Sequence, residues 1–447
     1  MALTGLDIYK LLPKTNCGEC KSPTCLAFAM RVAQKQASLD QCPHVTAEAK
    51  EKLGAASAPP IQLVTIGTGD AKVSIGNETV MFRHEETFHH KAGVAVTMSD
   101  KLSEADIAAR ADKIVHLIFE RVGTRIAVDM VCVMNDSNDP AKFAAATKIV
   151  AEKCPMAIIL GSENPDALKA ALDVCADRRP LLCGATAANV QAVAALAKEK
   201  NCPVVAKADG LEALAELTQK ISAAGVKEIV LYAGEQGVRQ TLEDLTKVRR
   251  YALKKTFRPL GYPQMVCVMN GADPLLTVLK SSTFMAKYAG IVVTDAIEPW
   301  QLMPLLTVRM NIYTDPRSPI QVESGIHRVG ETTDKSPLMI TTNFSLTYYT
   351  VEGDVESSKV PTNILVVDTE GTSVLTAWAA EKFTTDQIAA AMKKHEVEKI
   401  APHKKVIIPG LIAVESGKLQ EETGWEVVVG PKESSGIPSY LKANWGS

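Results

Sequence analysis

Arg125-Ile-Ala-Val-Asp-Met-Val-Cys-Val-Met134 is a largely apolar run, followed by the alanine-rich stretch Pro140–Glu152 and a second apolar run, Met156-Ala-Ile-Ile-Leu160. Both runs have the length of strands, and the stretch between them has apolar residues at helical spacing. Strands that are apolar almost throughout are buried on both faces, as in a parallel sheet covered by helices. The stretch therefore predicts a β-α-β unit.

The same alternation recurs along the middle of the chain. The predicted strands are Gly93–Thr97, Arg125–Met134, Met156–Leu160, Leu181–Gly184, Pro203–Lys207, Glu228–Tyr232, Gln264–Met269 and Ile291–Asp295. The predicted helices are Glu104–Ile118, Pro140–Glu152, Asp166–Ala176, Asn189–Glu199, Leu211–Ala223, Arg239–Lys255 and Leu275–Tyr288. This rhythm predicts an α/β protein with a central (β/α)8 TIM barrel. An open doubly wound sheet is the alternative, because a single sequence does not reveal closure.

The pattern of predicted strands and helices changes after a break at Asp315–Ile320. The predicted strands here are Leu338–Tyr349, Asn363–Asp368, Lys404–Pro409 and Glu426–Val429, with a helix over Val374–Lys382. They predict a C-terminal, Rossmann-like open α/β domain. The loops 369–373 and 430–436, rich in small and hydroxyl residues, follow two of these strands, at the edge where open parallel sheets bind ligands. Ordinary strand-to-helix turns are the alternative, since such turns also use glycine and serine.

Four cysteines stand close together near the start of the chain. Cys17, Cys20, Cys25 and Cys42 have the spacing C-x2-C-x4-C-x16-C. In a reducing compartment, thiols this close hold a metal centre more often than they form disulfides. Three near cysteines with a distant fourth suit a cubane iron–sulfur cluster, and a zinc site is the alternative. A helix is predicted over residues 26–36, so that its N-terminus would lie beside Cys25 and favour an anionic cluster.

The other cysteines and the histidines carry weaker signals. The remaining cysteines are scattered and are expected to be small buried hydrophobic side chains; they are Cys132, Cys154, Cys175, Cys183, Cys202 and Cys267. The histidines of the stretch His84–His90 match no standard metal-binding arrangement. Neither group is expected to form a metal site.

Length and composition limit the number of domains and the kinds of partner that the chain can have. The 447 residues leave room for two or three domains, and the predicted division is 1–58 for the cluster domain, 59–320 for the barrel and 321–447 for the last domain. A net charge of −2 gives no reason to expect nucleic acid or a membrane surface as a partner. The N-terminus lacks the features of a signal peptide, so we expect a cytoplasmic protein.

Several stretches together resemble a known family. They are Leu11–Cys20 with Cys25 and Cys42, Ile340–Tyr349, Val366–Ser373 and Val406–Leu411. Along its whole length the chain resembles the large (gamma) subunit of the corrinoid iron–sulfur proteins of the reductive acetyl-CoA pathway. The bacterial acetogen type is the nearer fit, and the archaeal decarbonylase complex has a related subunit.

The resemblance implies two cofactors. One is a [4Fe–4S] cluster on Cys17, Cys20, Cys25 and Cys42. The other is a cobamide, a corrinoid of the vitamin B12 type, held by the C-terminal domain against a smaller, barrel-shaped subunit. By position in the motifs, the implied cobamide contacts are Ile340, Leu346, Thr369, Glu370, Gly371, Thr372, Ser373, Thr376, Gly410, Leu411 and Ser434, with the loop 410–413 around them.

The implied function is methyl carriage, as a component of a methyltransferase system. Co(I) would accept a methyl group from methyltetrahydrofolate on a separate methyltransferase. Methyl-Co(III) would then donate it to the nickel–iron–sulfur centre of CO dehydrogenase/acetyl-CoA synthase, while the cluster returns Co(II) to Co(I). The chain lacks the Asp-x-His-x-x-Gly motif whose histidine ligates cobalt in many corrinoid carriers, so we expect a base-off cobamide. The segment Ser318–Ser336, with Gly325 and Gly330, is predicted to be a hinge.

Two other functions fit parts of the sequence. A stand-alone barrel enzyme with an electron-transfer appendage would use acidic and amide groups at the strand ends, and Asp129, Asn135, Asp136 and Asp295 are available. A zinc-bearing scaffold subunit without a redox role is the third possibility. Bound cobalt would identify the methyl carrier and exclude both alternatives. Iron content would separate the zinc-bearing scaffold from the other two functions.

Overall fold

The computed structural model describes residues 5–20, 22–33, 37, 41–46, 59–269, 273–315 and 319–446. The chain forms two compact units: Met1–Leu117 with Ala127–Tyr313, and Ile118–Ile126 with Thr314–Ser447. The boundaries 1–58, 59–320 and 321–447 stay a prediction. Among the described residues, no helix combines the length and the apolar character that crossing a membrane requires.

The first unit contains a closed barrel of parallel strands. The barrel strands are β3 Gly93–Ser99, β6 Met130–Met134, β7 Ala157–Gly161, β8 Leu181–Ala185, β9 Val204–Lys207, β10 Ile229–Tyr232, β11 Gln264–Val268 and β12 Ala289–Thr294. Their order around the barrel is β10-β11-β12-β3-β6-β7-β8-β9, and β9 pairs with β10 to close it. The prediction of a (β/α)8 barrel is confirmed, and the open sheet is wrong.

Helices follow the barrel strands. They are Glu104–Val115, Pro140–Lys153, Pro165–Cys175, Val190–Lys200, Leu211–Ala223, Val238–Lys255, Pro274–Met285 and Pro299–Tyr313. Their starts show why the sequence folds this way: the Asp139 carboxylate accepts hydrogen bonds from the backbone N–H groups of Ala141 and Lys142, at 2.8 and 3.3 Å, and Pro140 takes the first turn. The last helix has no counterpart among the predicted ones, because it is apolar on nearly all sides and contains Pro304.

The predicted strand Arg125–Met134 is in fact two elements. Its first residues belong to β5, Thr124–Ala127, which forms a hairpin with β4, Ile118–Arg121. Val122 and Gly123 both have positive φ at the turn, as tight hairpins require. The break before β6 falls at Asp129, whose carboxylate accepts a hydrogen bond from the Val94 N–H at 2.8 Å.

Side chains fill the barrel interior. Alternate residues of the strands, such as Met130, Cys132 and Ile159, meet in one buried cluster. The antiparallel hairpin of β1, Val64–Ile66, and β2, Val73–Ile75, adds apolar side chains to the same cluster. The barrel is therefore a packed core.

The second unit is built on a five-stranded sheet. Its strands are β13 Gly325–Val329, β14 Leu338–Thr342, β15 Thr362–Val367, β16 Lys405–Ile408 and β17 Glu426–Val429. The order is β13-β15-β14-β16-β17, with β13 antiparallel and the other four strands parallel. The helices are Ser345–Ser358, Val374–Ala379, Thr385–Lys394, Ser416–Thr423 and Ile437–Trp445. Each face of the sheet carries a buried apolar cluster, so the predicted Rossmann-like open domain is confirmed.

Two predictions for this unit are wrong. The strand expected over Leu338–Tyr349 ends at Thr342, and helix Ser345–Ser358 follows, although its threonine, tyrosine and valine residues favour strands. The expected hinge Ser318–Ser336 contains β13, which pairs with β15 along its whole length. From Ile320 onward this segment is tied to the sheet, because the Ile320 carbonyl accepts a hydrogen bond from the Ser345 N–H at 3.1 Å. Ser318 lies outside the described residues.

Candidate functional site

The four N-terminal cysteines lie in one small region. Cys20, Cys25 and Cys42 are buried in a cluster with apolar side chains such as Phe28, whereas Cys17 is exposed. All four thiols are free. The fold of this segment therefore collects three of the thiols around an apolar core and leaves the fourth at the surface.

Local structure positions Cys25 in particular. It is the first residue of helix Cys25–Ala33, whose start is capped by the Thr24 hydroxyl, an acceptor for the Ala27 N–H at 3.1 Å. Asn16, which has a φ of 48°, makes two hydrogen bonds to this cysteine. Its side-chain oxygen accepts from the Cys25 N–H at 2.8 Å, and its backbone N–H donates to the Cys25 sulfur at 3.4 Å. The helix dipole and the N–H group both stabilise a thiolate at this position.

Zinc and a cubane cluster need different distances between their sulfur ligands. A zinc ion holds its sulfur ligands at about 2.3 Å, which places neighbouring sulfur atoms under about 4 Å apart. Among the described residues, the set of ligand atoms that all lie within 4.8 Å of one another is Cys17, Glu19 and His44. The four cysteines do not form such a set in the described part of the chain.

The second candidate site lies at the carboxyl edge of the sheet in the second unit. The chain passes from β14 to β15 on one side and then crosses to β16 on the other side. Connections that leave in opposite directions open a crevice between the two strands, and open α/β sheets bind ligands there. The loops after β14, β15, β16 and β17 border this crevice.

Asn343 organises the crevice. It directly follows β14, it is buried, and its side-chain oxygen accepts hydrogen bonds from the Thr369 N–H, the Thr369 hydroxyl and the Gly371 N–H at 3.0, 3.0 and 2.9 Å. Its amide nitrogen donates to the Asp368 carboxylate at 2.9 Å and to Gln321 at 3.2 Å. One side chain thus fixes the loop that follows β15 to the end of β14.

The loop after β15 has an unusual backbone. Glu370 and Gly371 both have positive φ, at 54° and 72°. A side chain at Gly371 would meet Gln321 at 2.8 Å, so this position requires glycine for its conformation and for space. The Glu370 carboxylate, which faces solvent, pairs with the Lys382 ammonium group.

The loops after β16 and β17 lie backbone to backbone. The Gly410 N–H donates to the Pro431 carbonyl at 3.1 Å. A Cβ atom at Gly410 would lie 2.5 Å from the Gly430 carbonyl oxygen and 2.8 Å from the Lys432 nitrogen. Glycine at 410 is therefore a condition for the close approach of these two loops.

Two buried hydroxyl groups at the carboxyl end of β14 have no protein partner. Thr342 ends β14 and Ser345 begins the next helix; both residues are buried, and both hydroxyl oxygens lack a hydrogen bond. A buried polar group without a partner costs about 1–3 kcal/mol. Such groups beside a crevice are available to a ligand that reaches them.

Apolar side chains surround the same edge of the sheet. They are Leu346, Leu375, Trp378, Leu411 and Val414, which are between 37 and 76% exposed. The Trp378 indole donates to the Glu415 carboxylate at 2.9 Å, and the Thr385 hydroxyl donates to it at 2.7 Å. These two hydrogen bonds lower the pKa of Glu415. Exposed apolar side chains next to a crevice are typical of a binding surface.

Two family models and several known proteins match this chain. A family model described as CO dehydrogenase/acetyl-CoA synthase delta subunit matches residues 63–441, and an Fe–S cluster model matches residues 12–44. The chain is 48% identical to the corrinoid/iron–sulfur protein large subunit of Moorella thermoacetica over 449 residues, which cover all of both chains. The chain belongs to the family of corrinoid/iron–sulfur protein large subunits.

Archaeal members of the family are also similar. The acetyl-CoA decarbonylase/synthase complex subunit gamma of Methanothermobacter thermautotrophicus is 36% identical over 453 residues, covering 99% of each chain. Among solved structures, dihydropteroate synthase from Vibrio fischeri ES114 covers 51% of this chain and 95% of its own, with a TM-score of 0.41 and 12% identity. That last likeness is too low to bear on function.

The residues expected to contact a corrinoid in this large subunit differ in their surroundings. Ile340 is buried in the apolar core of the sheet, and Thr369 is buried under the loop that Asn343 holds. The others lie on the loops and helix starts that follow the strands: Leu346, Glu370, Gly371, Thr372, Ser373, Thr376, Gly410, Leu411 and Ser434. Asn343, Thr342 and Ser345 are not among the contacts predicted from the sequence, although a polar residue directly after a buried strand is a usable signal.

The residues of the rival barrel enzyme do not come together. Asp129 precedes β6 and lies at the amino end of the barrel, where its carboxylate pairs with the buried Arg309 guanidinium. Asn135 and Asp136 follow β6 at the opposite end, and Asp295 follows β12. The four residues therefore do not form one site. Asp136 accepts a hydrogen bond from the Ser99 hydroxyl, which joins two neighbouring strand ends.

Four of the six scattered cysteines are buried, as predicted, whereas Cys183 and Cys267 are partly exposed. Burial raises the pKa of Cys154, Cys202 and Cys267 to about 11. Neutral, buried thiols are poor nucleophiles and poor metal ligands. His89 contacts the Glu86 carboxylate at 3.4 Å, and no histidine of the stretch His84–His90 joins a set of close metal ligands among the described residues.

Proposed function

We propose that this large subunit carries a methyl group on a cobamide bound at the carboxyl edge of its C-terminal sheet, and that a [4Fe–4S] cluster on Cys17, Cys20, Cys25 and Cys42 keeps the cobamide active. The methyl group comes from methyltetrahydrofolate through a methyltransferase and goes to acetyl-CoA synthase. The smaller corrinoid protein subunit is its permanent partner. The predicted division into 1–58, 59–320 and 321–447 assigns the cluster, the barrel and the cobamide to separate parts.

The cofactors supply the reactive groups, and the chain supplies their surroundings. When bound, the cobamide supplies a nucleophilic cobalt that accepts and releases the methyl group, and the cluster supplies the low-potential electron that restores it. The contribution of the chain is to bind both groups, to orient them and to withhold unwanted ligands.

The single observation that carries the proposal is the crevice between β14 and β16. Its unpartnered hydroxyls on Thr342 and Ser345 lie where a polar extension of a ligand would enter between the strand ends. The apolar side chains at the rim, such as Leu375 and Trp378, suit the broad and partly apolar edge of a corrin ring. A polar interior with an apolar rim matches a large amphipathic cofactor.

The crevice offers no imidazole to cobalt. The histidines of the second unit lie elsewhere: His327 in β13, His395 at the end of helix Thr385–Lys394, and His403 against the Ser336 carbonyl at 3.0 Å. None of the loops 343–345, 368–373, 409–415 and 430–436 contains a histidine. No histidine of these loops would be available to ligate the cobalt of a bound cobamide, and this supports base-off binding.

The N-terminal segment suits an anionic cluster for separate reasons. The buried Cys20, Cys25 and Cys42 would hold a cluster away from water, and the exposed Cys17 would be the ligand nearest to solvent. The helix start and the N–H group of Asn16 stabilise negative charge at Cys25. The exposed Cys17, beside the Glu19–His44 pair, would be the side from which an electron donor reaches the bound cluster.

The proposal is tested by cofactor analysis of two matched variants. Ser345→Ala and Ser281→Ala each remove a buried hydroxyl that has no protein partner, one in the crevice and one in the barrel. We expect Ser345→Ala, combined with Thr342→Val, to retain markedly less cobalt than the wild type, with unchanged iron. Ser281→Ala should retain both metals. If native protein contains no cobalt, or if the double variant binds cobamide as well as the wild type does, the assignment of this crevice is wrong.

A further inference from the structure

Asn16 connects the loop that contains Cys17 to the start of helix Cys25–Ala33. Its side-chain oxygen accepts a hydrogen bond from the Cys25 N–H at 2.8 Å, and its backbone N–H donates to the Cys25 sulfur at 3.4 Å. One residue thus engages both the amide and the sulfur of a cysteine that we assign to the cluster. Asn16 is not itself a ligand, so its two hydrogen bonds act on the cluster only through Cys25.

The side-chain hydrogen bond anchors Asn16 to the helix. The N–H groups in the first turn of a helix have no partner within the helix. The Thr24 hydroxyl accepts from one of them, the Ala27 N–H, at 3.1 Å, and the Asn16 oxygen accepts from another, the Cys25 N–H. Because the side chain is fixed in this way, the backbone N–H of the same residue is held in the direction of the Cys25 sulfur.

The backbone around Asn16 has a conformation that suits an anionic group. Lys14, Asn16 and Gly18, every second residue of this segment, have positive φ angles of 57, 48 and 78°. Asparagine and glycine tolerate this left-handed conformation better than most residues do. Backbone that passes in and out of it can direct successive N–H groups to one side, and such concavities bind anions at many iron–sulfur sites. The ligand Cys17 lies between two of these left-handed residues.

A hydrogen bond to a ligand sulfur changes how readily a bound cluster accepts an electron. Reduction adds one negative charge to the cluster, and part of that charge lies on its sulfur atoms. An N–H donor therefore stabilises the reduced form more than the oxidised form and raises the reduction potential. Cys25 is only 5% exposed, so little water competes with this donor and the surroundings of low dielectric constant strengthen its effect.

We propose that Asn16 is a positioning residue that sets the reduction potential of the cluster, because its side chain holds its backbone N–H on the Cys25 sulfur. The inference rests on the proposed function, since it takes the four N-terminal cysteines as the cluster ligands. With this donor in place, the cluster accepts its electron from a weaker reductant than it would need without the donor. The role belongs to the side chain of Asn16, although the group that faces the sulfur is a backbone group.

The test is a redox titration of Asn16→Gly. This substitution removes the side-chain oxygen and permits the same backbone, because glycine adopts positive φ without strain. The full chain is titrated with titanium(III) citrate, and the electron paramagnetic resonance signal of the reduced cluster is followed. We expect unchanged iron content and an equilibrium constant for reduction about tenfold lower than in the wild type, which for one electron lowers the midpoint potential by about 59 mV. An unchanged midpoint in a variant with full iron would overturn the proposal.

Two controls separate this effect from a general disturbance of the chain. Asn201→Gly makes the same substitution at another left-handed asparagine, with φ of 52°, at the end of barrel helix Val190–Lys200. Thr15→Ala changes the exposed neighbour of Asn16 within the same segment. Both variants should keep the midpoint of the wild type. If Thr15→Ala lowered the midpoint as much as Asn16→Gly does, the shift would not come from the hydrogen bonds of Asn16, and the proposal would fail.

A second measurement covers the case in which Asn16→Gly does not assemble its cluster. Asn16 is the only asparagine among the first 76 residues, so wild-type protein grown with asparagine labelled at its backbone nitrogen with ¹⁵N carries a single label in the N-terminal segment. Pulsed electron paramagnetic resonance of the reduced cluster should then detect coupling to a ¹⁵N nucleus. A protein with full iron and no such coupling would overturn the role of Asn16 and leave the proposed function intact. Native protein without iron would overturn the proposed function and this inference together.

Discussion

Replacing Asn343 with alanine removes the side chain that ties the two central loops of the crevice together. Its oxygen accepts hydrogen bonds from the buried N–H groups of Thr369 and Gly371, at 3.0 and 2.9 Å. The Thr369 hydroxyl, the third donor, keeps its bond to the Thr372 carbonyl at 3.0 Å. The substitution therefore leaves two backbone donors without a partner.

The size of the effect follows from those two groups. Each buried N–H without an acceptor costs about 1–3 kcal/mol, which gives about 2–6 kcal/mol for the pair. The loop can open and satisfy its N–H groups with water, and this release limits the loss in the free energy of unfolding to about 2–3 kcal/mol. An open loop no longer presents Glu370 and Gly371 at the crevice, so we expect Asn343→Ala to lose most of its cobalt.

Denaturant titration and metal analysis measure the two parts of this prediction. Three of the four tryptophans, Trp378, Trp425 and Trp445, belong to the second unit, so fluorescence reports mainly its unfolding. The matched control is Asn189→Ala in the barrel, where the side chain accepts from the Thr186 N–H at 2.7 Å and donates to the Glu163 and Gly184 carbonyls. The control should destabilise the barrel and keep its cobalt. An Asn343→Ala protein with wild-type stability and full cobalt would show that Asn343 does not hold the crevice loops.

Three further predictions concern single contacts. Gly410→Ala should lower cobalt retention, because its Cβ would lie 2.5 Å from the Gly430 carbonyl oxygen. The control is Gly417→Ala, whose Cβ would have no atom within 4 Å; in denaturant titration it should be neutral or slightly stabilising. Arg309→Met should lower the free energy of unfolding of the barrel by about 3–5 kcal/mol, because it leaves the Asp129 carboxylate without its cation, while the metal content per folded chain stays unchanged. The pKa of Glu415 is lowered below 4.5 by hydrogen bonds from Trp378 and Thr385, so the stability it contributes is present above pH 4.5 and is lost as the pH falls through the lower folded value. Trp378 fluorescence should report this loss in the wild type, and a pH response that survives in Glu415→Gln would contradict the assignment.

The sequence predicts best those structural features that depend on residues close together along the chain. Apolar runs such as Met156–Leu160 predicted barrel strands because burial on both faces leaves no alternation of polar residues. Pro23 and Thr24 are typical of a helix start, and a helix does begin directly after them, at Cys25. These features are set by their immediate neighbours along the chain.

The errors arose where distant contacts decide the structure. Helix Ser345–Ser358 has strand-forming residues, but the β14–β15 connection runs through it and its Tyr348 and Val355 pack in the core, so tertiary packing overrides local preference. Helix Pro299–Tyr313 lacks an amphipathic pattern because both its faces are apolar. Asn343 reads as an ordinary turn residue until the fold brings residues 369–371 to its side chain.

The central feature of this protein is that one chain joins an electron-storing cluster to a methyl-carrying cobamide. The most direct test is the rate at which the oxidised, inactive carrier regains methyl acceptance under a low-potential reductant, measured at equal cobalt content. For Cys25→Ser, which removes one thiolate of the cluster, we predict loss of iron and recovery at least tenfold slower than in the wild type. Cys175→Ser, a buried cysteine outside the motif, should recover at the wild-type rate. Recovery of Cys25→Ser at the wild-type rate would contradict the claim.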